Sequence, residues 1–238
     1  MIGRMFRPLT LTLSLLAIGA SPLASTSYAQ SKPKPRPAAP AQQPRGISIN
    51  GYAMGGGLNL TAIDSFEAIT GKSNGPIFGG GVRVGLPWVR TSFGGLFVDV
   101  GAWRYHAEGG RVFVLNGVVY PLNVPVEIAM TPIELSAGWQ FRFRRAPRLA
   151  PYVAAGLTSM LYKETSSFLS AGEDVDESFS GYHVGGGVEY RFSRWVGIAG
   201  EVGWSTVPDA IGDSGVSEAF NETDLGGTTF RFKLTFGR

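Results

Sequence analysis

Residues 182–192 read Tyr-His-Val-Gly-Gly-Gly-Val-Glu-Tyr-Arg-Phe. Tyr182, Val184, Gly186, Val188, Tyr190 and Phe192 alternate with His183, Gly185, Gly187, Glu189 and Arg191, so both charges fall on one parity. A period of two belongs to a strand whose faces meet different surroundings, because successive Cβ atoms point to opposite sides. The chain ends the same way, with Phe230, Phe232, Leu234 and Phe236 set against Arg231, Lys233 and Thr235. Leu96, Val98, Val100 and Ala102 oppose Phe97, Asp99 and Gly101. Ile133, Leu135, Ala137, Trp139, Phe141 and Phe143 oppose Glu134, Ser136, Gly138, Gln140 and Arg142. No stretch after Gly46 keeps a helical period over three turns, so the fold class is all-β.

Eight such segments are predicted, at about 46–60, 75–86, 91–105, 126–143, 149–163, 179–192, 195–206 and 225–237. With no helical segments between them to carry parallel crossovers, neighbours should pair antiparallel. The connections sort by length: 87–90, 144–148 and 193–194 read as tight turns, while 61–74, 106–125, 164–178 and 207–224 are long and polar. Long connections at one end and short ones at the other predict an eight-stranded antiparallel up-and-down transmembrane β-barrel with both termini periplasmic. Within the fourth segment the apolar parity changes from even (Val126, Ile128, Met130) to odd after Pro132, which predicts a β-bulge at Thr131-Pro132.

Composition fits a membrane wall. Charged residues make up only 16% of the 238 positions, 34 are glycine without a three-residue period, and cysteine is absent. That excludes collagen, disulfides and thiolate chemistry. Residues 1–29 read as an export signal: Arg4 and Arg7, an apolar run from Leu9 to Ala20, and Ser27-Tyr28-Ala29 before Gln30. Residues 30–45 carry five prolines with Lys32, Lys34, Arg36 and Arg45 and no large apolar side chain, which reads as a disordered, basic periplasmic linker. Six of the 21 Lys and Arg precede Gly46, leaving 15 against 18 Asp and Glu in 46–238, the barrel domain. No clustered basic face remains to bind nucleic acid.

If the apolar parity faces lipid, the polar parity fills the lumen. Arg83, Asp99, Glu134, Arg142, His183, Glu189, Arg191, Glu201, Arg231 and Lys233 are then expected to pair in a network that closes a barrel too narrow for a pore. Aromatics near the strand ends are expected at the membrane interfaces: Trp88, Phe141, Phe143, Tyr190, Phe192, Trp195 and Phe236 at one, Trp103, Tyr105, Tyr162, Phe179 and Trp204 at the other.

In this pattern residues 46–238 resemble the eight-stranded bacterial outer-membrane β-barrel family, the group of the OmpA transmembrane domain, OmpX-Ail and OmpW-like barrels. The segment Thr229 to Phe236 resembles the family's closing signal for the outer-membrane insertion machinery, although Gly237 and Arg238 follow the aromatic. The resemblance implies outer-membrane lipids and lipopolysaccharide as surroundings. It also implies a structural or cell-surface role through the four long loops, with an OmpW-like passage for small solutes as the alternative.

Catalysis is the third reading and is disfavoured, since only His106 and His183 are available and the family's lipid A deacylases would need a serine where Gly185 stands. No cofactor is expected. Glu173, Asp174, Asp176 and Glu177 crowd one long loop and Asp209, Asp213, Glu218, Glu222 and Asp224 another, without EF-hand spacing, and they read as a solvated acidic surface. Arg90, Arg144, Arg145, Arg148, Arg194 and Arg238 mark the opposite end, suited to anionic headgroups. A soluble lipocalin-like barrel, with charges outward, is the fourth reading.

Overall fold

The computed structural model describes residues 46–166, 175–212 and 215–237. The segments read as export signal and linker lie outside the described residues, as do Glu173, Asp174, Asp213 and Arg238. Eight strands run in chain order: β1 (Ser48–Leu60), β2 (Asn74–Thr91), β3 (Gly94–Leu115), β4 (Val118–Phe141), β5 (Leu149–Thr165), β6 (Val175–Arg191), β7 (Val196–Thr206) and β8 (Gly227–Gly237). Each pairs antiparallel with the next, and β8 returns to β1 from Asn50↔Gly237 to Leu60↔Gly227. The sheet is a closed barrel, which removes the open edges that hydrocarbon cannot tolerate.

The outward parity is the apolar one. Val82, Val100, Leu135, Leu157, Val184, Ile198, Val202 and Phe232 are all exposed on it, a continuous band that in water would be an anomaly and in a bilayer is the lipid-facing wall.

Three expectations about the strands need correction. The stretch 106–125 is not a loop: β3 and β4 continue through it as one hairpin, paired out to Leu115↔Val118. Asn116 and Gly117 form its two-residue turn with φ of 52° and 78°. Both values lie in the left-handed region that a type I′ turn demands and that Asn-Gly supplies at little cost. The segment 87–90 is not a turn either. β2 runs on to Thr91, the chain reverses at Ser92-Phe93, and the ladder to β3 jumps from Gly85↔Phe97 to Arg90↔Gly95. Pro87 has no N–H to give the ladder and sits inside that bulge.

The bulge expected at Thr131-Pro132 is absent. Opposite these residues the β3–β4 ladder skips Trp103 and Arg104, then resumes in the same register at Tyr105↔Met130, and the β4–β5 ladder is unbroken. The parity of the inward face never changes: Val126, Ile128, Met130, Pro132, Glu134, Ser136 and Gly138 are all buried. What changes at Pro132 is the chemistry of the lumen.

The interior has two storeys. Toward the short turns it holds Arg83, Asp99, Glu134, Glu189, Arg231 and Lys233, all buried. Toward the long loops it is an apolar core of Leu58, Ile77, Trp103, Tyr105, Val126, Ile128, Met130 and Met160. Two short helices cap this outer storey, where none was expected: α1 (Ile63–Thr70), between β1 and β2, and α2 (Gly215–Phe220), between β7 and β8. Phe66 of α1 and Leu225, just before β8, complete the apolar cluster. The carboxylate of Glu222 accepts the N–H groups of Asp64 (3.0 Å) and Ser65 (2.8 Å), so one loop caps the helix of the other at its positive end. Gly109 lets α1 lie close: a Cβ there would meet the Ile69 carbonyl oxygen at 2.2 Å.

Candidate functional site

The inner storey is a layer of paired charges drawn from strands on all sides of the lumen. Arg231 on β8 clasps Glu134 on β4 through two bonds of 2.6 Å, Nη1 to Oε2 and Nη2 to Oε1, and its Nη1 also lies 3.4 Å from Glu201 Oε1. The Lys233 ammonium donates to Glu201 Oε2 at 2.6 Å. Arg83 donates from Nε to Asp99 Oδ2 at 3.0 Å, and its Nη1 is 3.9 Å from Glu189. Arg191, half-buried at the turn end, donates to the other oxygen of Glu189 at 2.8 Å. Four carboxylates thus meet four cations, which is what makes so many buried charges tolerable.

Aromatic rings complete the layer. The Arg83 guanidinium lies between the rings of Phe97 and Tyr152, 4.3 Å from each centroid. Lys233 sits 4.6 Å from the Tyr52 ring and Arg231 5.5 Å from that of Trp103. These rings also donate: Tyr52 to Asp99 (2.7 Å), Tyr152 to Glu201 (2.8 Å) and the Trp103 indole to Glu134 (2.9 Å). The lumen glycines make room for them, since a Cβ at Gly81 or Gly101 would lie 2.5 Å from the Tyr52 hydroxyl. The free space left at the level of Arg83, Glu134, His183 and Arg231 is about 20 Å³. That holds roughly one water.

Of the residues expected in this network, Arg83, Asp99, Glu134, Glu189, Arg191, Glu201, Arg231 and Lys233 are joined by the bonds above. Arg142 is exposed just past β4 and lines the mouth at the turn end with Arg90, outside the paired layer. His183 is inside but bonds only hydroxyls, Ser136 Oγ from Nε2 and Thr158 Oγ1 from Nδ1, both at 2.8 Å. With both ring nitrogens engaged and no carboxylate bonded to either, it lacks the orienting partner of a hydrolytic triad. His106 is half-exposed on the outer face, 3.7 Å from Glu108.

The aromatic expectations divide. Trp88, Phe143, Tyr190, Phe192, Trp195, Trp204 and Phe236 are exposed on the outer wall, with Phe141 half-buried there. Trp103, Tyr105, Tyr162 and Phe179 were expected at the loop-end interface and instead face inward, Trp103 3% and Tyr105 1% exposed. The reason is the apolar outer storey: an aromatic on the inward parity finds a core there. Tyr52 and Tyr152 are the network members that the charge pattern alone misses. Their inward parity, shared with Met54 and with Thr158, is the signal that carries them.

Above the outer storey a cavity of about 520 Å³ opens between α1, the base of the β3–β4 hairpin, the outer ends of β5 and β6, residues 209–212 and the first turn of α2. Phe66, Ile69, Val126, Ile128 and Phe179 give it apolar walls, while Arg111, Glu164, Glu177 and Asp209 stand among its polar groups. The acidic loops do not converge on an ion: among the described residues no three His, Asp or Glu side chains are grouped to hold a metal. Asp224 instead binds Thr206 Oγ1 and the N–H groups of Val207 and Gly226.

Above the barrel wall the hairpin rises past the strands on either side of it. Among the described residues β3 has no β2 partner past Tyr105, and β4 has no β5 partner past Glu127. The projecting ribbon is ten residues long on β3 (106–115) and nine on β4 (118–126), roughly 30 Å at about 3.3 Å per residue. Phe113, Leu115, Val118 and Tyr120 are exposed on one of its faces, in facing pairs.

A family model described as the outer membrane protein β-barrel domain matches residues 10–237. No curated protein matches the chain. Among solved structures it is similar in fold to Ail of Yersinia pestis (11% identity, 80% of this chain and 98% of that one, TM-score 0.47). Similar too are the N-terminal β-barrel domain of Pseudomonas aeruginosa OprF (15%, 80% and 97%, 0.43) and Neisserial surface protein A (14%, 80% and 94%, 0.42).

Proposed function

The chain belongs to the outer membrane protein β-barrel domain family and lies in the bacterial outer membrane, and on that premise we propose that it is a non-enzymatic surface protein whose barrel is a closed mount. The observation that carries this reading is the inner storey, where balanced charges leave about 20 Å³ of free space. With no path through the wall, function moves to what the barrel holds outside. Its most prominent offering is the β3–β4 ribbon, with Phe113, Leu115, Val118 and Tyr120 exposed to a partner. Pro121 and Pro125 on β4 blunt one edge against indiscriminate strand addition and leave the apolar face as the contact surface. Lipopolysaccharide and lipid surround the wall below.

The test is single-channel conductance of the refolded full chain in a planar bilayer, beside Glu134→Gln and Arg231→Gln. The wild type is expected to be silent and the variants to flicker open. Steady current through the wild type would replace this reading with solute passage. For the ribbon, Phe113→Ser with Tyr120→Ser should abolish surface attachment by cells displaying the protein while leaving the barrel folded and silent. Unchanged attachment would remove the ribbon from the proposal.

A further inference from the structure

We propose that the outer cavity is a binding site for a small amphipathic cation, an aromatic or short aliphatic body bearing a protonated amine. The volume, about 520 Å³, is that of a small-molecule site. Its floor is the packed outer storey, with Ile128 and Val126 fully buried beneath it, so the cavity is a dead end and not the start of a passage.

The chemistry of the lining selects the ligand. Phe66, Ile128 and Phe179 offer an apolar bed on which burial of a hydrocarbon body is favourable. Among the described residues the lining carries Arg111 against Glu164, Glu177 and Asp209. Arg111 lies 3.9 Å from Glu164, which leaves Glu177 and Asp209 as carboxylates with no ion-pair partner among the described residues. An ammonium supplies the counter-charge that both lack, whereas an anion of the same shape would be repelled. A second observation is independent of charge. Ser65 of α1 lines the same cavity, is 3% exposed, and its hydroxyl has no hydrogen-bond partner. A buried hydroxyl left unsatisfied is costly, and a ligand amine or a water it carries would satisfy it. A bare metal ion fits poorly, since no three oxygen-bearing acids converge there among the described residues.

The experiment uses the full chain in nanodiscs of zwitterionic lipid and two fluorescent probes, dansylcadaverine, which carries an amine, and dansylglycine, which carries a carboxylate. Emission is titrated against empty nanodiscs. The amine probe should saturate with a blue shift and bind about tenfold or more tighter than the carboxylate probe. Glu177→Gln with Asp209→Asn should bring the two probes within about twofold of each other. Ile69→Trp, or Val216→Trp if the first disturbs α1, should fill the cavity and abolish binding of both. Equal binding of the two probes by the wild type would overturn the assignment. So would saturation unmoved by both the charge and the filling variants, since the probe would then lie in the lipid. The proposal goes beyond the closed-mount reading and fails separately from it: a conducting wild type refutes the closed lumen and leaves a saturable, variant-sensitive amine site standing.

Discussion

The two storeys of the barrel interior share one inward parity and are built from opposite materials. The inner one is held by Arg231–Glu134, Lys233–Glu201 and Arg83–Asp99, the outer one by packing of Ile128, Met130, Met160 and Tyr105 under α1. Charges pack tightly only where each has a fixed partner, so the inner storey is full and directional. Hydrocarbon needs only volume and a lid, so the outer storey ends in a helix and leaves a cavity above it. A narrow barrel can thus be filled by either chemistry, and each leaves a different kind of surface at its boundary.

The inner storey is most sensitive at Arg231. Arg231→Leu strands Glu134 and Glu201 in a buried layer and should cost about 3–5 kcal/mol, measured as a lowered urea midpoint. Glu134→Leu in the same chain should recover much of that loss; a double variant as unstable as the single would show that the two do not act as a pair. In the outer storey Ile128→Ala should cost about 2–4 kcal/mol by leaving a void, and it should open no current, because the charged layer below is untouched. A current in Ile128→Ala would mean that the outer storey, and not the inner, is the stopper.

Gly109→Val sharpens the boundary between lid and core. Its side chain would displace the Ile69 carbonyl, costing about 1–3 kcal/mol, and amide exchange over 63–70 should accelerate while that of β8 does not. Glu222→Gln should act on the same helix more gently, by about 0.3–1 kcal/mol, since it removes only the negative charge from the α1 N-terminus. An equal or larger loss from Glu222→Gln would mean that the lid is held by electrostatics and not by its fit on β3.

The strands were legible wherever their two faces meet different solvents, as in 182–192 and 230–236, because lipid and ion pairs leave opposite marks on alternate residues. The mark inverts in the outer storey, where the inward face is apolar and the outward face carries Arg104, His106, Glu108 and Glu127. Val126, Ile128 and Met130 look like a phase change, and Trp103 and Tyr105 look like interface residues, because the alternation of polarity reverses its sense while the alternation of direction continues. Asn116-Gly117 does carry a local hairpin signal, and the polar and proline-containing neighbours Asn123 and Pro125 disguised the strands beside it as a loop. The charged members of the inner storey were readable from parity, Arg142 excepted because the strand ends before it, whereas the tyrosine donors and the cavity depend on which strands face one another across the lumen. One sequence does not encode that distance as a pattern.

Glu134 and Arg231 lie 97 residues apart, on strands that never touch in the ladder. Their bond therefore cannot form in a partly assembled sheet, as a neighbouring-strand pair can. Until the ring closes, Glu134 has only Trp103 of the adjacent strand and Arg231 only Glu201, and their mutual bond forms with closure. The final step of assembly thus acts as a latch. It gains its cross-lumen bonds all at once, and the same seam is where forced opening should begin.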